Sequence, residues 1–444
     1  MHRYQPGEGD RRRILEFLGK SSVEELLAPI PQELRIGELP LPLGMAEEEV
    51  RRILREWAAS NVTAEEKTSF LGAGVYRHVV PAVMDAVLSR AEFFTAYTPY
   101  QPEVSQGTLQ AIFEFQTFVC LLTGMDVANA SLYDGATAVV EAVLQASRLR
   151  PEGRKVFVSR LLHPDYLATL RTYAEAAELE LVELPWDNTG RTDLSRVAPE
   201  GAVAVVVQSP NVVGVVEDLA AVRRAAGEAL AIQAVAEATS LGLLAPGGAF
   251  GFDVVCGEMQ AFGLPPSFGG PHVGFFATRK EYLRQMPGRL VGQTIDAEGQ
   301  RAFVLTLSTR EQHIRRAKAT SNICTNHSLM ALGVTVVLSL LGQKGVRELA
   351  LASHAKACYL KKRLAELAPK VRLAFPNSPT YNEFLLLREK PEQLLARLSE
   401  EGILGGVATH LLAPYLPVGI LVAVTEKNTR EECDRLVEAL GRLA

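Results

Sequence analysis

Six short apolar runs that alternate with helical segments between residues 156 and 277 constrain the fold of this 444-residue chain more than any other feature. Some runs, such as AVAVVV, are continuous rather than alternating, which is typical of strands covered on both faces. Helical segments at Pro164–Ala177 and Asp218–Ala226 would supply the crossover connections. We therefore predict an α/β domain with a mostly parallel, doubly wound sheet. The six runs are Val156–Ser159, Leu179–Leu184, Ala202–Val207, Ala229–Ala236, Phe252–Cys256 and Gly274–Ala277.

The sequence on either side of these runs predicts two further parts. Residues 1–90 predict a helical arm, because AEEEVRRILREWAAS has apolar residues at a helical spacing and no strand pattern accompanies it. Ser21 and Ser22 precede a short capped helix that stops at prolines. The large domain is predicted over residues 91–330, with Arg301–Ala350 as a long helical connector. Residues 331–444 predict a smaller C-terminal α+β domain with strands at Glu383–Leu387 and Gly419–Ala423 and helices at Pro391–Glu400 and Thr429–Leu443.

Composition excludes several classes of function. The net charge of −5 argues against a nucleic-acid-binding protein, which would carry a basic face. The charged N-terminus lacks the apolar core of a signal peptide. The longest apolar span, Leu329–Leu341, is too short for a bilayer, so we expect no membrane insertion and a cytoplasmic location. The five scattered cysteines have no CxxC spacing, which fits a reducing compartment and predicts no metal site.

Three motifs follow predicted strands or open predicted helices. In Asp134-Gly135-Ala136-Thr137, a glycine at a helix start would let backbone N–H groups approach an anion; an ordinary capped helix is the alternative. His163 would stack on a flat ring, or simply flank a helix in solvent. Glu237 stands at the carboxyl end of a strand, where an acid would anchor a ring nitrogen of a cofactor. An aspartate is the usual acid there, and glutamate is longer by one methylene.

In this order the three motifs resemble the cofactor domain of fold-type I enzymes, which use pyridoxal phosphate (PLP). Four longer runs make the chain similar to glycine decarboxylase, the P-protein of the glycine cleavage system. The runs are TAYTPYQPEVSQGTLQ (95–110), NASLYDGATA (129–138), FGGPHVGFFA (268–277) and REQHIRRAKATSNICTN (310–326). The likeness is greatest to the subunit 1 (alpha) form, which corresponds to the N-terminal half of the single-chain enzyme. It extends from about residue 20 to the end of the chain.

The resemblance implies that this subunit has lost its cofactor. This chain has a Gly/Pro-rich loop within residues 253–277, and in PLP enzymes of this fold the corresponding loop carries the lysine that forms the Schiff base. Here no lysine occurs between Lys155 and Lys280. By spacing, the lysine position falls at or next to Gln260, whose amide cannot form an imine. His163, Glu237, Gln260, Asp134, Gly135 and Thr137 would then be a retired site, with PLP held by a partner beta subunit.

The resemblance also implies a shared active site, since fold-type I dimers borrow groups from their partners. Tyr97, Thr98 and Tyr100 would line the pocket of the beta subunit, unless they are only an interface loop. A second set, Thr320, Ser321, Asn322 and Thr325, would contact the partner's PLP phosphate, or would merely cap a helix. The basic residues Arg310, Arg315 and Arg316 would attract the lipoyl-carrying H-protein, or would face solvent.

The implied activity is that of a complex. The complex would decarboxylate glycine on PLP and transfer the aminomethyl group to the lipoyl arm of H-protein, and we do not expect this chain to be active alone. A heterotetramer is the implied stoichiometry. Two alternatives remain open: a self-sufficient PLP enzyme that uses a relocated lysine, Lys280 or Lys318, and a structural pseudoenzyme that only stabilises the beta subunit.

Overall fold

The computed structural model of the chain describes residues 7–37, 39–95, 97–323, 325–368 and 370–443. It divides into two compact units, one within the first 62 residues and one from Thr63 onwards. The domain boundaries predicted at residues 90 and 330 remain predictions.

Among its described residues, the first unit contains three α-helices that bury none of their residues: α1 (Glu8–Phe17), α2 (Val23–Leu26) and α3 (Glu47–Ala58). The hydroxyl of Ser22 accepts a hydrogen bond from the Glu25 N–H at 3.3 Å, which confirms the predicted short capped helix. On α3, Trp57 is 68% exposed and Leu54 is 53% exposed, whereas Ile53 is half-buried, so much of the apolar stripe of this helix is exposed.

The second unit is built on a seven-stranded sheet. Before it come β1 (Thr68–Ser69), α4 (Ala82–Leu88) and α5 (Gln106–Thr123). The sheet has the strand order β2-β8-β7-β6-β5-β3-β4. In it β7, β6, β5, β3 and β4 are parallel to one another, β8 runs antiparallel to β7, and β2 runs antiparallel to β8. The strands are β2 (Val127–Ala128), β3 (Lys155–Ser159), β4 (Glu180–Leu184), β5 (Ala202–Gln208), β6 (Leu230–Val235), β7 (Val254–Glu258) and β8 (Gly274–Thr278).

Helices cover both faces of this sheet, as the continuous apolar runs predict. Val156 and Val158 pack on one face with α6 (Gly135–Leu149) and α7 (Pro164–Ala176). Phe157, between them, packs on the other face with α8 (Leu219–Ala226). The six predicted strands are therefore confirmed, each to within two residues at either end.

The predicted connector from Arg301 is wrong in its first part. Arg301–Thr306 is a strand, β10, paired antiparallel with β9 (Leu290–Ile295). The Asp296 carboxylate accepts the N–H groups of Glu298 and Gln300, and this turn closes the hairpin. After the four-residue helix α9 (Gln312–Arg315), the long helix α10 begins only at Ser328 and runs to Leu367.

Helix α10 is the one helix of the described ranges whose length and composition would suffice to cross a membrane. Ala331, Val334 and Val337 on this helix are buried in a cluster with Phe115 and Phe262, as in a core helix of a globular domain. The helix is interrupted at Gly342, where φ is 59° and ψ is −177°.

The C-terminal part combines a four-stranded antiparallel sheet with helices, and it contains the two strands and the two helices that were predicted there. The sheet order is β11-β12-β15-β14, and the separate strand β13 pairs in parallel with β1. The strands are β11 (Arg372–Leu373), β12 (Glu383–Leu387), β13 (Ile403–Leu404), β14 (Val407–Ala408) and β15 (Gly419–Ala423), and the helices are α11 (Pro391–Glu400), α12 (Thr409–Leu412) and α13 (Arg430–Leu443).

Candidate functional site

An irregular segment, residues 71–79 (LGAGVYRHV), lies against the carboxyl ends of the sheet strands; we call it the inner segment. The C-terminal part of the chain holds it from one side. The Glu383 carboxylate accepts hydrogen bonds from the Ala73 N–H at 2.7 Å and from the Tyr76 hydroxyl at 2.9 Å. Glu426 accepts the Val79 N–H at 2.7 Å. No motif or periodic pattern in the sequence distinguishes this segment.

Gln260, at the predicted lysine position, is bonded to the inner segment through both atoms of its amide. Its oxygen accepts the Tyr76 N–H at 3.0 Å, and its nitrogen donates to the Tyr76 carbonyl at 3.0 Å and to the Leu264 carbonyl at 2.5 Å. The side chain is 1% exposed. Its hydrogen-bonding groups are therefore in use within the chain.

Glu237 contacts the inner segment through His78. The His78 Nε2 lies 3.0 Å from the Glu237 carboxylate, and its Nδ1 lies 2.6 Å from the Glu426 carboxylate. Burial alone would lower the pKa of His78, but the two carboxylates outweigh it and raise that pKa to about 10. The other oxygen of Glu237 accepts the N–H and hydroxyl of Thr239. The acid predicted to anchor a ring nitrogen therefore pairs with a charged imidazole of its own chain.

His163 bonds to the same segment. Its Nε2 lies 3.0 Å from the Ala73 carbonyl, while its Nδ1 accepts the Asp165 N–H at 3.3 Å, which fits a neutral ring protonated at Nε2. Burial lowers the pKa of His163. A Cβ atom added to Gly74 would lie 3.0 Å from the imidazole, so the backbone of the inner segment lies against this ring. The ring surface of His163 that was predicted to stack on a cofactor is therefore covered at Gly74 by the chain itself.

The start of helix α6 is also occupied by groups of the chain. Asp134 caps the helix: its carboxylate accepts the Thr137 N–H at 2.8 Å. The N–H of Gly135 donates to the carboxylate of Glu258 at 3.1 Å. A side chain at Gly135 would collide with the Tyr166 hydroxyl, which explains the glycine. The two predicted roles of this motif, helix capping and anion contact, are both filled by carboxylates of the protein.

These residues do not fit PLP in this chain. Such a cofactor needs a lysine for its Schiff base, an acid free to pair with the ring nitrogen and donors free to hold the phosphate. Here an amide stands at the predicted lysine position, Glu237 pairs with His78, and Glu258 takes the first N–H of helix α6. Lys280 and Lys318 are both exposed and do not belong to this cluster.

The two predicted shared-site tyrosines lie together on the surface. Tyr97 is 74% exposed and its ring meets that of Tyr100 edge-on, with centroids 6.0 Å apart. The buried Arg289 donates to the Tyr100 hydroxyl at 2.8 Å, and its charge pairs with Glu311 at 3.3 Å. Thr98 is buried, so its side chain is not available to a partner as it stands.

The second predicted set is divided between interior and surface. The Ser321 hydroxyl donates to the buried Glu141 at 2.8 Å, and Thr320 is half-buried. Asn322 and Thr325 are exposed, and Thr325 contacts the Tyr133 hydroxyl at 3.4 Å. Cys324, between them, lies outside the described residues.

The predicted basic group is divided in the same way. Arg310 is not on the surface: it is 7% exposed, and its guanidinium donates to the carbonyls of Leu307, Met286 and Gly288. Arg315 and Arg316 are exposed. In the described ranges, no group of three or more His, Cys, Asp or Glu residues is placed to hold a metal ion.

The chain matches the family described as "Glycine cleavage system P-protein" over residues 2–440. The probable glycine dehydrogenase (decarboxylating) subunit 1 of Geobacillus thermodenitrificans is 49% identical over 448 residues, which cover 99% of each chain. A crystal structure of glycine decarboxylase (P-protein) of the glycine cleavage system, in inhibitor-bound form, has a TM-score of 0.88 at 45% identity and covers 100% of both chains.

A more distant structure shares the fold alone. The sphingosine-1-phosphate lyase of Burkholderia pseudomallei has a TM-score of 0.65 at 16% identity, over 94% of this chain and 93% of that one. Together these likenesses confirm the predicted fold class, a fold-type I PLP-dependent transferase-like domain followed by a smaller α+β domain.

Proposed function

The chain belongs to the glycine cleavage system P-protein family, and on that premise we propose that it is the alpha subunit of a heteromeric glycine decarboxylase. The complex decarboxylates glycine with PLP that the beta subunit holds covalently, and passes the aminomethyl group to the lipoyl arm of H-protein. The cofactor acts as an electron sink in that reaction. This chain supplies no Schiff base and completes the site of its partner.

The observation that carries the proposal is the state of Gln260. An amide cannot form an imine, and this amide is bonded to the Tyr76 backbone on both sides. The self-sufficient alternative would need another lysine. Lys280 and Lys318 are exposed, whereas a Schiff-base lysine is ordinarily desolvated so that its amine is neutral. Both facts support a division of labour between two subunits.

The share of this chain in the active site would come through Tyr97 and Tyr100. Because Arg289 donates to the Tyr100 oxygen, the hydroxyl keeps its own proton for an acceptor outside the chain. A carboxylate, such as that of glycine bound to the partner, is such an acceptor. The 74% exposure of Tyr97 leaves its ring free to cover that pocket.

Of the residues predicted to reach the partner's PLP phosphate, Asn322 and Thr325 are the better placed. Both are exposed, whereas the Ser321 hydroxyl is already bonded to Glu141 and Thr320 is half-buried. Thr98 would support the loop rather than touch the pocket, since its carbonyl accepts the Tyr100 N–H at 2.8 Å.

Contact with H-protein would use the exposed Arg315 and Arg316. Within the described residues neither guanidinium forms an ion pair, so both are free to meet an acidic surface. A cytoplasmic heterotetramer of two alpha and two beta subunits is part of the same proposal.

The shared-site role is tested by Tyr100→Phe and Tyr97→Phe in complex with the beta subunit. We expect Tyr100→Phe to lower the kcat of glycine–bicarbonate exchange by about tenfold or more, because a hydrogen bond to the reacting molecule is lost. Assembly, followed by size-exclusion chromatography, should not change.

The matched control is Tyr359→Phe, whose hydroxyl contacts Asp434 at 2.8 Å in the C-terminal part and should leave exchange unchanged. If both tyrosine variants at the predicted site assemble and exchange like the unmodified complex, the shared-site role is wrong. The structural pseudoenzyme would then be the better account.

A further inference from the structure

Glu258, the last residue of strand β7, is a buried carboxylate with an unusually complete set of donors. It is 1% exposed. One oxygen accepts the N–H groups of Gln260 and Val273, both at 3.0 Å. The other oxygen accepts the N–H of Gly135 at 3.1 Å and lies 3.3 Å from Nδ1 of His272. Three backbone N–H groups and an imidazole therefore converge on one anion.

The Glu258 carboxylate lies at the N-terminus of helix α6. Gly135 is the first residue of α6, a 15-residue helix whose N-terminus favours negative charge through its free N–H groups and its dipole. The same end of the helix is capped by the Asp134 carboxylate. The hydrogen bond to Glu258 also raises the pKa of His272, which favours the protonated imidazole beside the carboxylate.

An external anion would be repelled from this place. A phosphate that approached Gly135 would meet two carboxylates of the chain at contact distance, and like charges so close together oppose binding. The carboxylate of Glu258 instead satisfies the donors that such a phosphate would use. No ligand is needed to neutralise the helix end or to satisfy the N–H groups of Gln260 and Val273.

We propose that the Glu258 carboxylate is an internal anion that takes the place of a phosphate ligand at the start of helix Gly135–Leu149. The anion pocket of this chain is thus closed by its own side chain. It becomes a phosphate site when that side chain is removed. The inference concerns the isolated chain and does not depend on the partner or on the proposed activity.

The test is chemical rescue of Glu258→Ala in the full-length chain. Truncation leaves four donors around the space that the carboxymethyl group of the side chain had filled. We expect a lower thermal unfolding midpoint than the unmodified chain in phosphate-free buffer. Inorganic phosphate, at ionic strength held constant with sodium chloride, should raise that midpoint in a saturable way, because binding to the folded state alone stabilises it.

Two controls separate this explanation from a general salt effect. Glu258→Gln keeps the space filled with a neutral acceptor, so its midpoint should not respond to phosphate. Glu383→Ala removes another buried carboxylate, one whose donors are the Ala73 N–H and the Tyr76 hydroxyl rather than a helix end, and it should not be rescued either. The unmodified chain should show no saturable shift.

Two results would overturn the proposal. One is a Glu258→Ala chain that phosphate does not stabilise; the other is an equal phosphate response in the unmodified chain. If Glu258→Ala cannot be purified folded, refolding from denaturant with and without phosphate decides the matter. Recovery only with phosphate supports the internal anion, and failure under both conditions refutes it. Neither result alters the activity test of the complex.

Discussion

Three buried carboxylates, those of Glu237, Glu258 and Glu383, and the half-buried carboxylate of Glu426 hold the inner segment or the start of helix α6. Each carboxylate has a hydrogen-bonding partner in the chain, and a charge removed from water requires such partners. His78 carries its charge between Glu237 and Glu426. Removing one partner of a buried ion pair typically costs about 3–5 kcal/mol, because the remaining charge is left uncompensated. Single residues here therefore fix the inner segment in place.

Glu383 makes the stability of the chain depend on pH. Burial raises the pKa of this carboxyl from 4.5 to about 7, against the hydrogen bonds from Ala73 and Tyr76, which lower it. Between those two values the folded chain binds a proton that the unfolded chain has lost. The free energy of unfolding therefore gains a contribution that is complete below about pH 4.5 and is lost as the pH rises through 7.

We expect Glu383→Gln to remove that contribution. Relative to the variant, the unmodified chain should lose up to roughly 1.4 kcal/mol of unfolding free energy per pH unit between pH 5 and 7. Urea denaturation of both proteins at pH 5, 6 and 7 measures the difference. Glutamine keeps an acceptor for the Ala73 N–H, and its amide N–H can donate to the Tyr76 oxygen in place of the hydrogen bond that Glu383 accepts, so the fold should be kept. Parallel pH profiles of the two proteins would contradict the assignment.

At the scale of elements, local sequence patterns predicted the strands of the sheet. They did not predict the inner segment, which lies against the carboxyl ends of those strands. The strands are found at their predicted places because a continuous apolar run is a signal within the strand itself. The second strand of the hairpin, Arg301–Thr306, was predicted as part of a helical connector, although LVGQTI and RAFVLT flank a turn with Gly299 at φ 80°. The inner segment has no periodic pattern. Its partners Gln260, Glu383 and Glu426 are 184 to 348 positions away in sequence.

The inner segment depends on close backbone approach at Gly72. A Cβ atom at this position would collide with the Glu383 carboxylate and lie 2.5 Å from the Cβ of Ala423. We expect Gly72→Ala to lower the free energy of unfolding by about 1–3 kcal/mol, as other overpacking substitutions do. Urea denaturation of the isolated chain measures the change.

Gly107→Ala is the matched control for this substitution. Gly107 is the second residue of helix α5, and a Cβ atom there would make only an ordinary contact with Phe93 at 3.8 Å. Alanine at this position should not destabilise the chain and should stabilise it by at most about 0.5–1 kcal/mol, since glycine is a poor helix former. A Gly72→Ala chain as stable as the unmodified protein would mean that the inner segment is not held as described.

At the scale of the whole molecule, the sequence predicted where the candidate site lies in the fold but not which groups form hydrogen bonds there. Asp134, His163, Glu237 and Gln260 do cluster at the carboxyl ends of the strands, as their order along the fold required. The groups that bond to them could not be predicted from the sequence. Nothing in the local sequence around His78 or Glu258 indicates that these residues contact Glu237 and Gly135 in the fold. The sequence also did not predict which of the candidate side chains would be exposed. Arg310 and Thr98 are buried, whereas Tyr97 and Asn322 are exposed.

The division of labour between two subunits is the central claim, and one measurement tests it most directly. The complex with the beta subunit is loaded with PLP and reduced with borohydride, and the intact mass of each chain is determined. The account predicts a reduced pyridoxyl adduct at one per chain on the beta subunit and none on this chain. A stoichiometric adduct on this chain, at Lys280, Lys318 or any other lysine, would contradict it.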